Sequence, residues 1–371
     1  MKKRIAIVDS HPIQYHAHWY RELARRPEFD FEVLYSHRAS PADQAKAGFG
    51  VEFEWDIALL DGYRHRFLRN VAKHPSVTEF AGTDTPEIRD ILVRERFDSV
   101  VVSGWHTKSY WQTIRACWQT GRPVMARSDS HLHTPRSLLK QALKWPLYRY
   151  FISKLDGCLP VGTWSREYFL HYGAKPQRVF VVPHCVPEPS QAAEADKGPL
   201  RERWGIPANA TVFLFAGKFV PRKQPGDFIR AVAQAAESHA AAHGLLTGDG
   251  PLRAEMETLA ARLRAPVTFT GFLNQTAMAD AYTAADVLTL PSSIETWGLV
   301  ANEAMVRGLP CIASDRVGCG PDLVTPGETG FVFRAGDVDA MTACIQKFAG
   351  SPDLAVSMGL AARKRMEAHS A

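Results

Sequence analysis

Two glutamates eight positions apart carry the most specific chemistry in this chain of 371 residues. They lie in Pro291-Ser-Ser-Ile-Glu295-Thr-Trp-Gly298-Leu-Val-Ala-Asn-Glu303-Ala-Met-Val-Arg-Gly308-Leu-Pro310, where an apolar run ends at Leu290, a glycine turn follows and a helix is predicted from near Leu299. The first amides of such a helix, at Gly298, Leu299 and Val300, have no partner within it and stand at the positive end of its dipole, which suits an anion such as a diphosphate. Glu303 sits too deep in that helix to cap it, and a carboxylate there can accept hydrogen bonds from two vicinal hydroxyls, as on a ribose. Glu295 precedes the helix. The ligand-free alternative is that both acids merely complement the dipole.

A second cluster is cationic. Gly217-Lys218-Phe-Val-Pro-Arg222-Lys223 follows a β-branched and aromatic run, and Lys218 and Lys223 together could offset the charge that builds on a departing diphosphate. Gly248-Asp249-Gly250-Pro251 and Gly271-Phe272 each follow a further apolar run; a lone glycine pair of this kind also serves as an ordinary strand-to-helix turn.

The segment holding Glu295 and Glu303 resembles the E-x7-E motif of glycosyltransferase family 4, retaining enzymes with the two-domain GT-B fold. Other matches follow in that family's order over nearly the whole second half. Gly217 to Lys223 resembles its G-R-x(4)-K phosphate-binding segment, with Lys218 where the family usually has arginine, a swap that loses bidentate geometry and keeps the charge. The turns at Gly248 and Gly271 resemble family turns near the nucleotide base, and Val317-Gly-Cys-Gly-Pro-Asp322 stands in the place of its G-G-x-x-E turn, with Asp322 replacing the glutamate. The resemblance implies that Lys218 and Lys223 act on the diphosphate, Glu295 on the donor sugar and Glu303 on the ribose. It also implies a UDP- or GDP-linked sugar as donor, and neither a metal nor a further cofactor.

The first half offers candidates for the acceptor side. Ser10-His11-Pro12-Ile13-Gln14-Tyr15-His16 follows the first apolar run, where the family often has a Gly-Gly loop that is absent here; His11, Gln14 and Tyr15 are candidates by position, or else a histidine-rich surface turn. Gly104-Trp105-His106-Thr107 lies where family members commonly carry a histidine against the transferred sugar, which implicates His106. Asp129 and His131, in Arg127-Ser-Asp-Ser-His131, could bind hydroxyls or cap a helix. Asp337 and Asp339 have the D-x-D spacing of metal-binding glycosyltransferases of another fold, yet they open a helix after Gly336, which favours a cap. His16 and His18 cannot share a zinc ion from one helix face.

These residues need strand ends to hold them. Short β-branched runs alternate with amphipathic segments along the whole chain, the rhythm of parallel sheets covered by helices. Strands are expected at Ile5–Asp9, Phe31–Tyr35, Ser99–Ser103, Pro123–Ala126, Gly157–Val161 and Val179–Val182, then at Val212–Phe215, Leu245–Thr247, Val267–Thr270, Val287–Leu290, Cys311–Ser314 and Gly330–Phe333. The expected fold is α/β, GT-B: two Rossmann-like domains, 1–186 on the acceptor side and 200–371 binding the nucleotide sugar, facing each other across a cleft. A Pro- and Ala-rich linker is expected over 187–199. The chain stops soon after its last helical stretch, so the helix that closes this fold is expected to be short or missing.

Composition sets the outer bounds. A hydrophobic share of 46% with 22% charged residues excludes a disordered chain, and the net charge of +5 does not call for nucleic acid. Six scattered cysteines without a C-x-x-C pair signal neither a disulfide framework nor a zinc site, which points to a reducing compartment. No run reaches the roughly 18 apolar residues of a membrane span. Lys140 to Lys154 is basic, aromatic and predicted helical, either a core helix with solvated lysines or a surface for anionic lipid, which would place the protein in the cytoplasm and at the inner face of the membrane. The function expected is retaining transfer of a sugar from a nucleotide diphosphate sugar to an acceptor hydroxyl on a glycan or lipid-linked glycan, in cell-surface polysaccharide synthesis. The alternatives are a nucleotide-sugar epimerase or hydrolase of the same fold and a catalytically silent binding protein.

Overall fold

The computed structural model describes residues 2–45, 50–135, 137–188 and 196–369. The chain divides into two units, one built from residues up to 43 and from 58 to 184, the other from 44 to 57 and from 185 onward. Each holds its own six-stranded sheet.

In the first unit the strands are β1 (Lys3–Asp9), β2 (Phe29–Tyr35), β3 (His65–Phe67), β4 (Ser99–Val102), β5 (Val124–Ser128) and β6 (Gly157–Pro160), in the order β3-β2-β1-β4-β5-β6 and parallel throughout. Parallel neighbours require crossovers, supplied by helices such as Gln14–Ala24 and Lys108–Thr120, and helices on both faces explain why the strands read as continuous apolar runs. Alternate residues enter opposite cores: Ala6 and Val8 pack with Val100, Val102, Phe97 and Phe151, whereas Ile7 packs with Val33, Tyr35 and Tyr20.

In the second unit β7 (Thr211–Ala216), β8 (Ala242–Thr247), β9 (Val267–Gly271), β10 (Val287–Leu290), β11 (Cys311–Ser314) and β12 (Gly330–Phe333) take the order β12-β11-β10-β7-β8-β9, again parallel. All six residues of β7 are buried, and the helix Pro225–Ser238 covers one face with Phe228, Ile229, Val232 and Ala235 at helical spacing. The last long helix, Pro352–Met366, buries Ala355, Met358, Ala362 and Met366 and packs on the helices Leu299–Met305 and Val338–Ala349.

Three local features depart from the sequence expectation. Val179–Val182 does not form a regular strand: it follows β6 through the isolated bridge Cys158 to Val179, with Phe180 N donating to the Cys158 carbonyl at 2.9 Å and Val182 N to the Pro160 carbonyl at 2.8 Å, and it leaves Phe180 and Val181 exposed. β3 was unanticipated because His65-Arg66-Phe67 lacks β-branched residues, and it is held at the sheet edge by backbone pairing to β2 and by the Arg66 guanidinium on Glu32 and Glu95, at 2.6–2.7 Å. Residues 189–195 of the expected linker lie outside the described residues, and a helix already runs over Lys197–Arg203.

Residues 50–57 belong to the second unit although they lie in the first half of the sequence. Asn274 Nδ2 donates to the Glu54 carbonyl at 2.7 Å, and the Asp56 carboxylate accepts from Thr276 N at 3.1 Å, at the start of the helix Gln275–Ala284. The Phe53 ring lies on Phe272, with centroids 4.4 Å apart.

Candidate functional site

In the second sheet the strand order reverses between β7 and β10. Loops leaving the carboxyl ends of two such strands diverge and open a crevice, which makes their residues the natural ligand contacts. The loop after β7 carries Lys218 and a single 3-10 turn, Pro221–Lys223; the loop after β10 carries Glu295. Ser293 N donates to the Arg222 carbonyl at 2.8 Å and ties the two loops together.

That tie brings the predicted charges into one cluster. Lys223 Nζ forms an ion pair with the Glu295 carboxylate, which also accepts a 3.5 Å bond from Ser292 Oγ and lies 3.9 Å from Arg222. Both paired side chains are largely sheltered, 13% exposed for Lys223 and 11% for Glu295. Burial, then the nearby Arg222 and Lys223 charges, lowers the Lys218 pKa to about 8. A poised cation beside a cationic pair is an arrangement that an entering phosphate would stabilise.

The backbone around Glu295 is held from a third side. Glu295 N donates to the Arg316 carbonyl at 3.1 Å, Gly318 N to the Glu295 carbonyl at 3.0 Å, and Cys319 N to the Trp297 carbonyl at 2.9 Å. A side chain at 318 would put its Cβ 1.9 Å from the Thr296 carbonyl oxygen, so the approach requires glycine there. Asp322, four residues further on, lies in the short helix Gly320–Leu323.

Glu303 is buried on the helix Leu299–Met305, as expected, and occupies a separate pocket of partners. Tyr282 Oη donates to one carboxylate oxygen at 2.6 Å and Gln275 Nε2 to the other at 2.9 Å. Burial raises its pKa despite both bonds and the Arg307 charge. Tyr282 and Gln275 escaped the sequence analysis; their only signal was a helix following the Gly271 turn. Gly298 caps the Leu299–Met305 helix with φ near +100°, and its carbonyl accepts from the Ala301 amide at 2.8 Å, which takes that amide out of reach of an anion. Gly248 N donates to the Gly271 carbonyl at 2.9 Å, which joins the turns after β8 and β9.

In the first unit the order reverses between β1 and β4. Around that point lie His11, whose Nδ1 is 2.9 Å from Ser10 Oγ, and His106, whose ring is 5.4 Å from Tyr110. Burial lowers the His11 pKa to about 4 against the pull of Asp9, and desolvation lowers that of His106 against Asp9 and Asp129. Gln14 and Tyr15 open the helix Gln14–Ala24. Asp129 caps no helix: it stands in the loop after β5, and the next helix, Leu138–Ser153, is capped by Ser137. His131 is buried, with Nδ1 accepting from His133 N at 3.2 Å and its ring beside Trp164.

Asp9 escaped the sequence analysis, and His16 entered it only as an unlikely zinc ligand. Asp9 is 1% exposed at the end of β1, and its Oδ2 lies 2.6 Å from His16 Nδ1. Asp337 caps the helix Val338–Ala349 by accepting from Ala340 N at 2.8 Å. Among the described residues no group of three His, Cys, Asp or Glu side chains could hold a metal ion, and no helix is long and apolar enough to cross a membrane. The helix Leu138–Ser153 exposes Leu139, Leu143, Trp145, Leu147 and Tyr150, while Lys144 is turned inward onto Tyr168 Oη at 2.7 Å.

Comparison with known proteins identifies the family. Residues 196–365 match the family described as Glycosyl transferases group 1, and residues 12–185 match the Glycosyl transferase 4-like domain. A D-inositol 3-phosphate glycosyltransferase of Streptomyces scabiei is 36% identical over 213 residues, covering 54% of this chain and 47% of its own length. A GDP-mannose-dependent monoacylated alpha-(1-6)-phosphatidylinositol monomannoside mannosyltransferase of Corynebacterium glutamicum is 30% identical over 184 residues, covering 48% of each chain. The matched stretch thus spans about half the length of these curated relatives. Among solved structures, Anabaena HepE in complex with UDP and glucose superimposes with a TM-score of 0.73 at 17% identity, over 99% of this chain and 96% of its own.

Proposed function

Since the chain belongs to the Glycosyl transferases group 1 family, with a Glycosyl transferase 4-like domain as its first half, we propose that it transfers a sugar from a nucleotide diphosphate sugar to an acceptor hydroxyl, with retention at the anomeric carbon. The observation that carries this reading is the Lys223–Glu295 pair beside Lys218 at the reversal point of the second sheet. Lys218 and Lys223 stabilise the diphosphate as it leaves, and this cationic assistance matters most in the transition state. Glu295 holds the donor sugar. Glu303, once its bonds to Tyr282 and Gln275 rearrange, holds the ribose, and the turns at Gly248 and Gly271 border the base.

The donor is UDP- or GDP-linked, in keeping with the UDP in HepE and the GDP-mannose dependence of the corynebacterial relative. The acceptor is a polyol or a lipid-linked glycan, contacted by His106, His11, Gln14, Tyr15, Asp129 and His131. No metal takes part, because the cations that a metal would replace are already side chains. The protein works in the cytoplasm, with the exposed apolar residues of the helix Leu138–Ser153 and Lys140, Arg149 and Lys154 resting on an anionic membrane.

The deciding experiment is thermal unfolding with UDP, GDP, ADP and CMP, each with and without magnesium. A rise with one diphosphate, indifferent to magnesium and lost in Glu303→Ala, supports the donor site and names the base. If no nucleotide moves the curve, the donor reading fails and a silent binding protein takes its place.

A further inference from the structure

Residues 50–57 lie on the second unit, against the turns that leave β8 and β9. Gly50, at a φ of +77°, stands so close to the Gly248-Asp249-Gly250 turn that a Cβ there would lie 3.3 Å from Gly250 Cα. Further along, Asn274 Nδ2 donates to the Glu54 carbonyl at 2.7 Å, and the Asp56 carboxylate accepts from both the amide and the hydroxyl of Thr276. One end of the segment therefore rests on the turn after β8, and the other is tied to the start of the helix Gln275–Ala284.

What the segment holds there is aromatic. Phe53 lies on Phe272 with ring centroids 4.4 Å apart, and Trp55 meets Phe53 edge to face at 4.9 Å and 86°. Phe53, Trp55 and Ile57 are half-buried while Glu52, Glu54 and Asp56 are exposed, so alternate residues turn toward the second unit. Phe272 is half-buried as well. Three clustered rings thus keep part of their π-surface in solvent at the carboxyl ends of the strands, the side of such a sheet on which ligands bind.

Their place in the sheet order is specific. The Lys223–Glu295 pair stands on the loops of β7 and β10, and β8 and β9 follow outward in the order β10-β7-β8-β9. Glu303, the residue read as holding the ribose, is joined to this outer region. Its carboxylate accepts from Gln275, and the neighbours of Gln275 in the chain, Asn274 and Thr276, are the two residues that hold the segment. A nucleoside diphosphate with its phosphates at Lys218 and Lys223 and its ribose at Glu303 carries its base onward to the side of Phe272. Every nucleobase presents a flat π-face, and aromatic side chains bind it by stacking.

We propose that the base of the donor nucleotide stacks against the cluster of Phe53, Trp55 and Phe272, so that residues 50–57 complete the nucleotide site of the second unit. This rests on the glycosyl-transfer reading and adds to it a flat apolar face, which the backbone turns at Gly248 and Gly271 do not supply.

The test uses the full-length protein and two independent readouts. The first is calorimetric titration with UDP and with GDP. Phe53→Leu and Trp55→Leu keep an apolar side chain and delete the π-face, and each should weaken nucleotide binding about 10-fold, whereas Phe53→Tyr and Trp55→Phe keep a ring and should stay within about 2-fold of wild type. The second is nitrogen-15 NMR of the tryptophan side chains. The indole N–H signal of Trp55, identified by its loss in Trp55→Phe, should move when the nucleoside diphosphate is added and stay in place with inorganic pyrophosphate, which has no base. Wild-type affinity in either leucine variant, an equal loss in the aromatic replacements, or a Trp55 signal that ignores the nucleotide or answers to pyrophosphate would overturn the proposal. A wild type that binds neither UDP nor GDP overturns the donor reading beneath it, and that result is told apart because it precedes any substitution.

Discussion

Lys223 and Glu295 lie 72 residues apart in sequence, yet their side chains form an ion pair across the point where the second sheet reverses its strand order. Removing Lys223 leaves the sheltered Glu295 carboxylate with only the more distant and more exposed Arg222, at 3.9 Å, as an ion-pair partner. Lys223→Ala should therefore destabilise the protein by on the order of 3 kcal/mol and abolish most turnover, whereas Lys223→Met combined with Glu295→Gln should recover much of the stability and none of the activity. Urea titration of the single and double variants checks the first statement, and initial rates check the second.

The low Lys218 pKa gives nucleotide binding a pH signature. Without ligand the ammonium is lost as pH rises through about 8, while a bound diphosphate favours the charged form. Affinity should thus decline above pH 8, and binding near that pH should draw protons from the buffer. Lys218→Arg, which stays charged, should flatten both effects. Calorimetry in buffers of different ionisation enthalpy measures the proton uptake directly.

Glu303 separates binding from chemistry. A nucleotide at about 100 times its dissociation constant adds roughly 2.7 kcal/mol to unfolding, and Glu303→Ala should erase most of that gain. Tyr282→Phe, which deletes one donor to the same carboxylate, should cost about 1 kcal/mol of stability without nucleotide. Differential scanning calorimetry of the three proteins, with and without UDP or GDP, resolves the two contributions.

Gly318→Ala places no atom on any ligand contact, yet its Cβ would collide with the Thr296 carbonyl and force the Glu295 segment to move. It should lose turnover at least as severely as a conservative change at Glu295 itself. Circular dichroism showing a folded protein, together with rates near zero, would be the expected pair of results; full activity would mean that the segment is not held where the structure has it.

If the helix Leu138–Ser153 meets a bilayer, exposed Leu143 and Leu147 supply the apolar contact and Lys140, Arg149 and Lys154 the charge. Each cation near an anionic surface adds about 1 kcal/mol, so Lys140→Glu with Arg149→Glu should release the protein from phosphatidylglycerol vesicles. Co-sedimentation at low and high salt provides the measurement, and equal binding to neutral vesicles would dismiss the electrostatic part.

The legible parts of the sequence were those that local chemistry dictates. The apolar runs of β1, β7 and β10 announce themselves because parallel strands are buried on both faces, and Glu295, Lys218 and Lys223 stand at the strand ends where the topology needs them. β3 was hidden because its three polar and aromatic residues owe their strand to the neighbouring β2 and to Arg66, not to propensity. Gln275 and Tyr282 were hidden because their relation to Glu303 is made only by folding. The same holds for Asp9, which reads as the polar end of a strand and shows its worth only once His16 turns back onto it.

Residues 50–57 change what can be cut and joined in this chain. The helix Gln275–Ala284 receives its first-turn carboxylate from Asp56, some 220 positions upstream, and Phe53 covers Phe272 in the turn before it. A hybrid enzyme that exchanged everything after residue 186 for a relative's sequence would leave Asp56 and Phe53 behind with partners they were not matched to. The practical cassette is discontinuous: a transplanted second half must bring its own version of residues 50–57, inserted at the corresponding place in the first.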